Sequence, residues 1–378
     1  MSDKPAFTFG VLFSQTGLMS VTEQAHLKGI ILAVEEINSK GGVNGRLFEP
    51  IILDARSDEE EYARLTIDLL LKQNVNVIFG SCLSSCRKRV LPIIERFNGV
   101  LFYPSVYEGF EYSPNVIYGG ATPNQMIIPL LDYLVKAERR KYYLLGSDTL
   151  FARETNRIVS EFLEESTGSV LGSAYVPLDT PVEGYKSVIR NALKFEPDVL
   201  LSTFVGNENK KFYDSCFEDE LAGPALKIVS LTMTESELSA IQEEGRAGHL
   251  TAAAYFGTEE DTLNQEFLER YRAKFGEDQI PGVYAQTTYA QVKLLARAME
   301  FTYSDSSEDI LTALSGLELM APGGKISLDP ETNHTHLRCV IGESRKDGSF
   351  EIKWKSRDVI QPDPYLTGYD RILMAKRE

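Results

Sequence analysis

Short apolar runs alternate with stretches of helical spacing along most of the chain. The runs Phe7 to Phe13, Phe48 to Asp54, Val75 to Gly80, Val100 to Tyr103, Val116 to Gly119, Lys141 to Gly146, Ser169 to Val176, Val199 to Thr203 and Lys227 to Ser230 have interiors rich in Val, Ile, Leu, Phe and Tyr. Strands buried on both faces have this composition, so the runs predict parallel strands joined by crossover helices. Thr22 to Asn38 supplies one such helix: Ala25, Ile30, Ala33, Val34 and Ile37 recur at helical spacing, and Gly41-Gly-Val-Asn-Gly45 ends it. The fold class is therefore α/β.

At 378 residues the chain is long for one core, since domains average roughly 150 residues. Glycine- and proline-rich breaks at Gly119 to Asn124, around Ala253 to Thr258, and at Pro322-Gly-Gly324 divide it into two lobes. The expected N-terminal lobe takes residues 1–121 plus 256–325, and the C-terminal lobe 122–255 plus 326–378.

Composition narrows the function classes. A hydrophobic share of 43% with 25% charged residues fits folded cores and argues against disorder. A net charge of -16 opposes direct binding to a phosphate backbone. No apolar run approaches the ~20 residues that a membrane span requires. Met1 to Ala6 leads straight into the first strand without a basic region and apolar stretch, which predicts a cytoplasmic protein, or a periplasmic one if a leader has been removed. Four scattered cysteines make no disulfide framework.

Candidate chemistry gathers after two strands. Val77 to Arg89 reads as a strand ending in a polar turn that opens a helix, and ligands of open α/β sheets bind outside such carboxyl ends. Ser81, Ser84 and Ser85 are placed there to bond a small molecule or to cap the helix. Leu101 to Val116 then holds three tyrosines, two prolines and two carboxylates, which suits either a pocket for a small polar molecule or surface packing. Cys82 and Cys86 beside Arg87, Lys88 and Arg89 would suit an amidase thiolate, but two reduced cysteines near a pocket wall are the favoured reading. His334 and His336 share a strand face but lack further ligands, so no metal is expected. Glu108, Glu111 and the run Asp58 to Glu61 read as solvated positions. No G-x-S-x-G elbow, P-loop or G-x-G-x-x-G fingerprint follows a strand, so neither an enzyme nor a cofactor is expected.

Five motifs in order carry a resemblance that spans nearly the whole chain. Tyr-Pro-x-x-Tyr-Glu-Gly-x-Glu-x-Ser-Pro-Asn at Tyr103 to Asn115, Gly-Ser-Asp at 146–148 with Arg153-Glu-Thr-Asn156, Pro-Gly-Gly at 322–324, Asn333-His-Thr335 and Gln361-Pro-Asp-Pro364 resemble the amide and urea receptors of the type I periplasmic-binding-protein family. Within it the chain is most similar to cytoplasmic amide sensors that negatively regulate aliphatic amidase expression. The urea- and short-chain-amide-binding subunits of ABC importers are similar too.

The resemblance implies two doubly wound parallel-sheet lobes, three interlobe crossovers and a ligand cleft between the lobes. It implies a receptor for a small neutral amide or urea-like ligand, either a sensor that releases an RNA-binding transcription antiterminator or an importer subunit, and it allows a homodimer. An amidase is the enzyme alternative. Carried over by position, ligand contacts fall on Cys82, Ser84, Tyr103, Pro104, Ser105 and Val106 in the first lobe. In the second they fall on Thr149, Phe151, Val205, Gly206, Thr232 and Met233. Cys82, Val106, Thr149 and Phe151 depart from the family's residues, which implies a roomier, less polar pocket and a larger ligand.

Overall fold

Most of the apolar runs become buried strands, Phe48–Leu53 and Ser169–Val176 at the sheet edges being more exposed, and helices fill most of the intervals. In chain order the elements are β1 Phe7–Leu12, α1 Ser20–Ser39, β2 Phe48–Leu53, α2 Glu59–Leu71, β3 Val77–Gly80, α3 Ser84–Arg96, β4 Val100–Tyr103 and β5 Val116–Tyr118. Then follow α4 Pro123–Lys136, β6 Lys141–Ser147, α5 Leu150–Glu165, β7 Ser169–Val176, α6 Val182–Leu193, β8 Val199–Thr203, α7 Asn207–Glu218, β9 Lys227–Ser230, α8 Glu235–Ala240 and β10 Leu250–Ala253. The chain closes with α9 Thr262–Phe275, α10 Val283–Thr302, α11 Ser307–Leu314, β11 Glu318–Ala321, β12 Gly324–Leu328, β13 Thr335–His336, β14 Val340–Ser344 and β15 Phe350–Lys355. The computed structural model describes residues 4–218 and 226–368, so the last stretch of the expected second lobe, 369–378, lies outside the described residues.

The chain divides into two compact units. The first takes the chain up to Val106, Tyr112–Gly120 and Glu259–Leu337; the second takes Tyr107–Glu111, Ala121–Thr258 and the chain from Arg338 onward. The first holds a parallel sheet in the order β2-β1-β3-β4-β5. The second repeats this order as β7-β6-β8-β9-β10 and extends it with antiparallel β14 and β15. Each order reverses once, between β1 and β3 in one unit and between β6 and β8 in the other, and loops splay apart at such switch points.

Pro322 to Gly324 does not pass between units, as its composition suggested. It is the tight turn joining antiparallel β11 and β12 inside the first unit, and the chain leaves that unit only at Leu337–Arg338. Proline and glycine mark a chain reversal here, and sequence alone does not separate a hairpin turn from a lobe boundary. The acidic run Asp58 to Glu61 has a structural role: Asp58 caps α2 by accepting the Glu61 N–H at 2.8 Å, and the three glutamates that follow lie in the first turn, where the helix dipole favours them.

Helix α1 is held against α10 by close backbone approach. A Cβ on Gly29 would stand 2.1 Å from the Ala285 carbonyl oxygen and 2.4 Å from Thr288 Oγ1. Thr288 in turn donates to the His26 carbonyl at 2.8 Å. Alanine would gain about 1 kcal/mol of helix propensity, but overpacking costs typically about 1–3 kcal/mol. Gly29→Ala is therefore expected to lower stability by about 1 kcal/mol, read as an earlier guanidinium chloride midpoint at unchanged slope.

Candidate functional site

In the first unit the switch point is organised by a buried carboxylate. Glu23, on the first turn of α1 and 1% exposed, accepts the Ser14 N–H from the loop after β1, the Cys82 N–H at 2.9 Å from the loop after β3, and the Tyr62 hydroxyl at 2.5 Å from α2. Since the single Tyr62 proton goes to Glu23, Ser14 Oγ must donate to Tyr62 across 3.0 Å while accepting the Ser57 N–H at 2.7 Å. Burial pushes the Glu23 carboxyl above its ordinary value, and the Tyr62, Ser14 and Cys82 donors oppose that shift. Both loops of the switch point thus hang from one side chain.

The residues expected after β3 and β4 come together here. Tyr103 is buried and donates to the Cys82 carbonyl at 2.7 Å, and Ser105 Oγ lies 3.3 Å from the Ser81 carbonyl. Ser84 opens α3, whose N-cap is Leu83 without a side-chain cap, so the capping role open to these serines is not the one they take. The Ser81 hydroxyl is buried with no partner among the described residues. Pro104 is buried and Val106 partly so. Gly120 permits the tight course of this segment, because a Cβ there would stand 1.9 Å from the Ser105 carbonyl oxygen.

Two residues of this wall escaped the sequence reading. Arg87 is 0% exposed, with its guanidinium 4.8 Å from the Tyr103 ring centre and Nη1 3.5 Å from Ser84 Oγ. His26, also 0% exposed, stacks on Phe13 at 5.0 Å and brings Nε2 within 3.0 Å of Ser105 Oγ. Cys86 is buried and its thiol is pushed up by desolvation, which is the reverse of an activated nucleophile.

The tyrosine-rich loop is split between roles. Tyr103 belongs to the wall just described, whereas Tyr107–Glu111 joins the second unit. There the Phe110 N–H donates to the Pro364 carbonyl at 2.8 Å, its ring meets Tyr365, and Arg157 lies 5.3 Å from the ring centre. Two of the motifs that carried the resemblance therefore meet each other. Glu108 and Glu111 are buried rather than solvated, a correction that follows from this docking of the loop.

In the second unit the expected residues also line a switch point. Thr149 caps α5 by accepting the Ala152 N–H at 3.3 Å, with Phe151 buried behind it. The end of β6 and the loop after β8 are tied where the Val205 N–H donates to Ser147 Oγ at 3.4 Å. Gly206 adopts φ +53° as the chain turns into α7. Thr232 donates to the Phe204 carbonyl at 2.6 Å, and the buried Met233 accepts Thr251 Oγ1 at 2.7 Å through its carbonyl. Thr149 and Thr232 thus each hold part of the frame.

The histidine pair serves packing. His334 is buried and stacks on Tyr118 with ring centres 4.1 Å apart, while His336 Nε2 lies 3.4 Å from Asp329. Among the described residues no group of three His, Cys, Asp or Glu side chains could hold a metal ion, and no helix is long and apolar enough to cross a membrane.

Comparison with known proteins fits this architecture. The chain is 21% identical to Leu/Ile/Val-binding protein homolog 7 of Brucella abortus over 375 residues, covering 90% of this chain and 89% of that one. A shorter stretch of 122 residues is 29% identical to a limonene hydroxylase of Geobacillus stearothermophilus, but the chain spans only 22% of that protein's length. Among solved structures, an ABC-transporter solute-binding protein of Rhodopseudomonas palustris in complex with 3,4-dihydroxybenzoic acid superposes with a TM-score of 0.85 at 21% identity, over 94% of this chain and 99% of that one. The branched-chain amino acid substrate-binding protein of Streptococcus pneumoniae in complex with isoleucine gives 0.81 at 19% identity, over 94% and 100%. The relatives and neighbours matched over most of their length are binding proteins, and this chain is a binding protein rather than an enzyme. A family model for the periplasmic binding protein domain matches residues 7–371, nearly the entire chain, and the chain belongs to that family.

Proposed function

We propose that the protein is the solute-binding receptor of an importer for a small polar molecule of amide or urea-like chemistry, held on the first unit by Ser84, Ser105 and the main chain at 81–83. The observation that carries this reading is the wall at the β1/β3 switch point, where Ser81, Cys82, Ser84, Tyr103 and Ser105 converge and the Ser81 hydroxyl is buried without a partner among the described residues. Buried hydroxyls without partners are rare in folded proteins, and a polar solute would supply one. The importer role is favoured over the cytoplasmic sensor because the full-length relatives and neighbours carry binding-protein and transporter names. On this reading the protein works in the periplasm and its protein partner is a membrane permease. Thr149, Phe151, Val205, Gly206, Thr232 and Met233 are proposed as further solute contacts.

The test is a thermal-shift screen of short amides, ureas, branched-chain amino acids and benzoates against the full chain. A ligand at 100 times its Kd should stabilise the native state by about 2.7 kcal/mol. Ser84→Ala should then weaken the best ligand by roughly 1 kcal/mol or more in calorimetry, the usual cost of an unpaired buried polar group. A screen in which none of these classes raises the melting temperature would sink the proposal.

A further inference from the structure

We infer that His26 is a positioning residue that makes Ser105 a hydrogen-bond acceptor, so that the solute is selected for an N–H group at this point. The inference rests on the proposed reading of the Ser81 to Ser105 wall as the solute site.

The direction of the protons follows from the partners. His26 Nδ1 lies 2.9 Å from the Tyr284 carbonyl oxygen, which can only accept, so Nδ1 carries a hydrogen. The ring is fully buried against Phe13 and Tyr284, and burial pushes its pKa down to about 3, so it is neutral and Nε2 is bare. The opposite tautomer would set two lone pairs against each other across the Tyr284 contact. Nε2 must therefore accept the Ser105 proton across 3.0 Å. Ser105 has only one proton to give, and the Ser81 carbonyl, 3.3 Å from Ser105 Oγ, does not receive it.

Two acceptors then stand side by side, next to a Ser81 hydroxyl that is buried and unpartnered among the described residues. An NH2 group of an amide or urea, or the ammonium of an amino acid, can donate to both acceptors while an adjacent oxygen takes the Ser81 proton. A plain carboxylate offers acceptors only and would leave two oxygens facing two oxygens. The pair of probes that separates these cases is benzamide against benzoate, which share shape and differ in this one group.

Two measurements on the full chain test the inference. In 15N-histidine NMR, with His26 assigned by its loss in His26→Phe, the proton is expected on Nδ1; finding it on Nε2 overturns the inference whatever the solute. In calorimetry the wild type is expected to prefer benzamide over benzoate at least tenfold. His26→Phe, which keeps the stacking but frees the Ser105 proton to turn toward the solute, should erase most of that preference, and His26→Gln, whose amide oxygen can again accept from Ser105, should restore it. Should His26→Phe fail to fold, Ser105→Ala serves, with a loss of benzamide affinity and little change for benzoate. Equal affinities in the wild type, or a preference that these variants leave untouched, overturn the inference alone. Binding of neither probe, nor of any solute in the screen, overturns the receptor reading and the inference with it.

Discussion

Glu23→Ala is expected to cost about 4 kcal/mol of stability and to abolish solute binding. The carboxylate gathers the buried Ser14 N–H and Tyr62 hydroxyl and the partly buried Cys82 N–H from three separate segments. Each buried donor left without an acceptor costs about 1–3 kcal/mol. The sum is tempered because Glu23 no longer has to be desolvated, and burial is the leading influence on its carboxyl. Glu23→Gln keeps one acceptor oxygen but turns its NH2 toward a donor, so a loss near half as large is expected. The measurement is circular dichroism in guanidinium chloride, chosen because urea belongs to the candidate ligand class. A loss below about 1 kcal/mol for the alanine variant would show that water replaces the carboxylate and that the two loops hold themselves.

The same residue shows what could be read from the chain and what could not. Strands β4, β8 and β9 end where their apolar runs end, because a strand buried on both faces must be apolar throughout. Antiparallel β15 was missed: in Phe350-Glu-Ile-Lys-Trp-Lys355 the apolar residues at 350, 352 and 354 alternate with charged ones, a period-two signal unlike the continuous runs that mark the parallel strands, and only Phe350 is buried. Ser84, Tyr103 and Ser105 were legible because strand ends in open α/β sheets are where ligands sit. Glu23, His26 and Arg87 were not, since polar side chains on helices are usually solvated. A signal did exist. Glu23 and His26 continue the Ile30, Ala33, Val34, Ile37 stripe of α1 toward its start, and Arg87 continues the Val90, Ile94 stripe of α3. A charged residue on an apolar stripe, at the helix end nearest a switch point, is buried there with partners the loops must bring.

Glu235→Gln is expected to raise stability by about 3 kcal/mol at pH 8 and to change nothing at pH 4. Glu235 opens α8 in the second unit at 2% exposure; its Oε1 accepts the Gly257 N–H at 2.7 Å, while Oε2 is buried without a partner among the described residues. Desolvation, with the charge of neighbouring Glu237 acting the same way, pushes its carboxyl up to about 8. An unfolded glutamate titrates near 4.3. The folded value is the higher one, so the contribution of Glu235 is fully present below pH ~4 and drains away as pH rises, at about 1.4 kcal/mol per unit until the native state also ionises near 8. That slope alone would give about 5 kcal/mol, and relaxation around a buried charge reduces it. Glutamine keeps the Gly257 bond and cannot ionise, so it escapes the loss. Asp54, Asp198, Asp329 and Glu343, held below their ordinary values by hydrogen bonds and lysines, act in the opposite sense: their stability is lost as pH falls. The wild-type curve mixes both effects, but they cancel in the difference between the two proteins, which isolates one carboxyl. Guanidinium chloride melts at pH 4, 6 and 8 should therefore give a difference that grows with pH. A difference that stays constant across that range would mean that Glu235 ionises alike in the folded and unfolded chains, and that its buried oxygen is met by water.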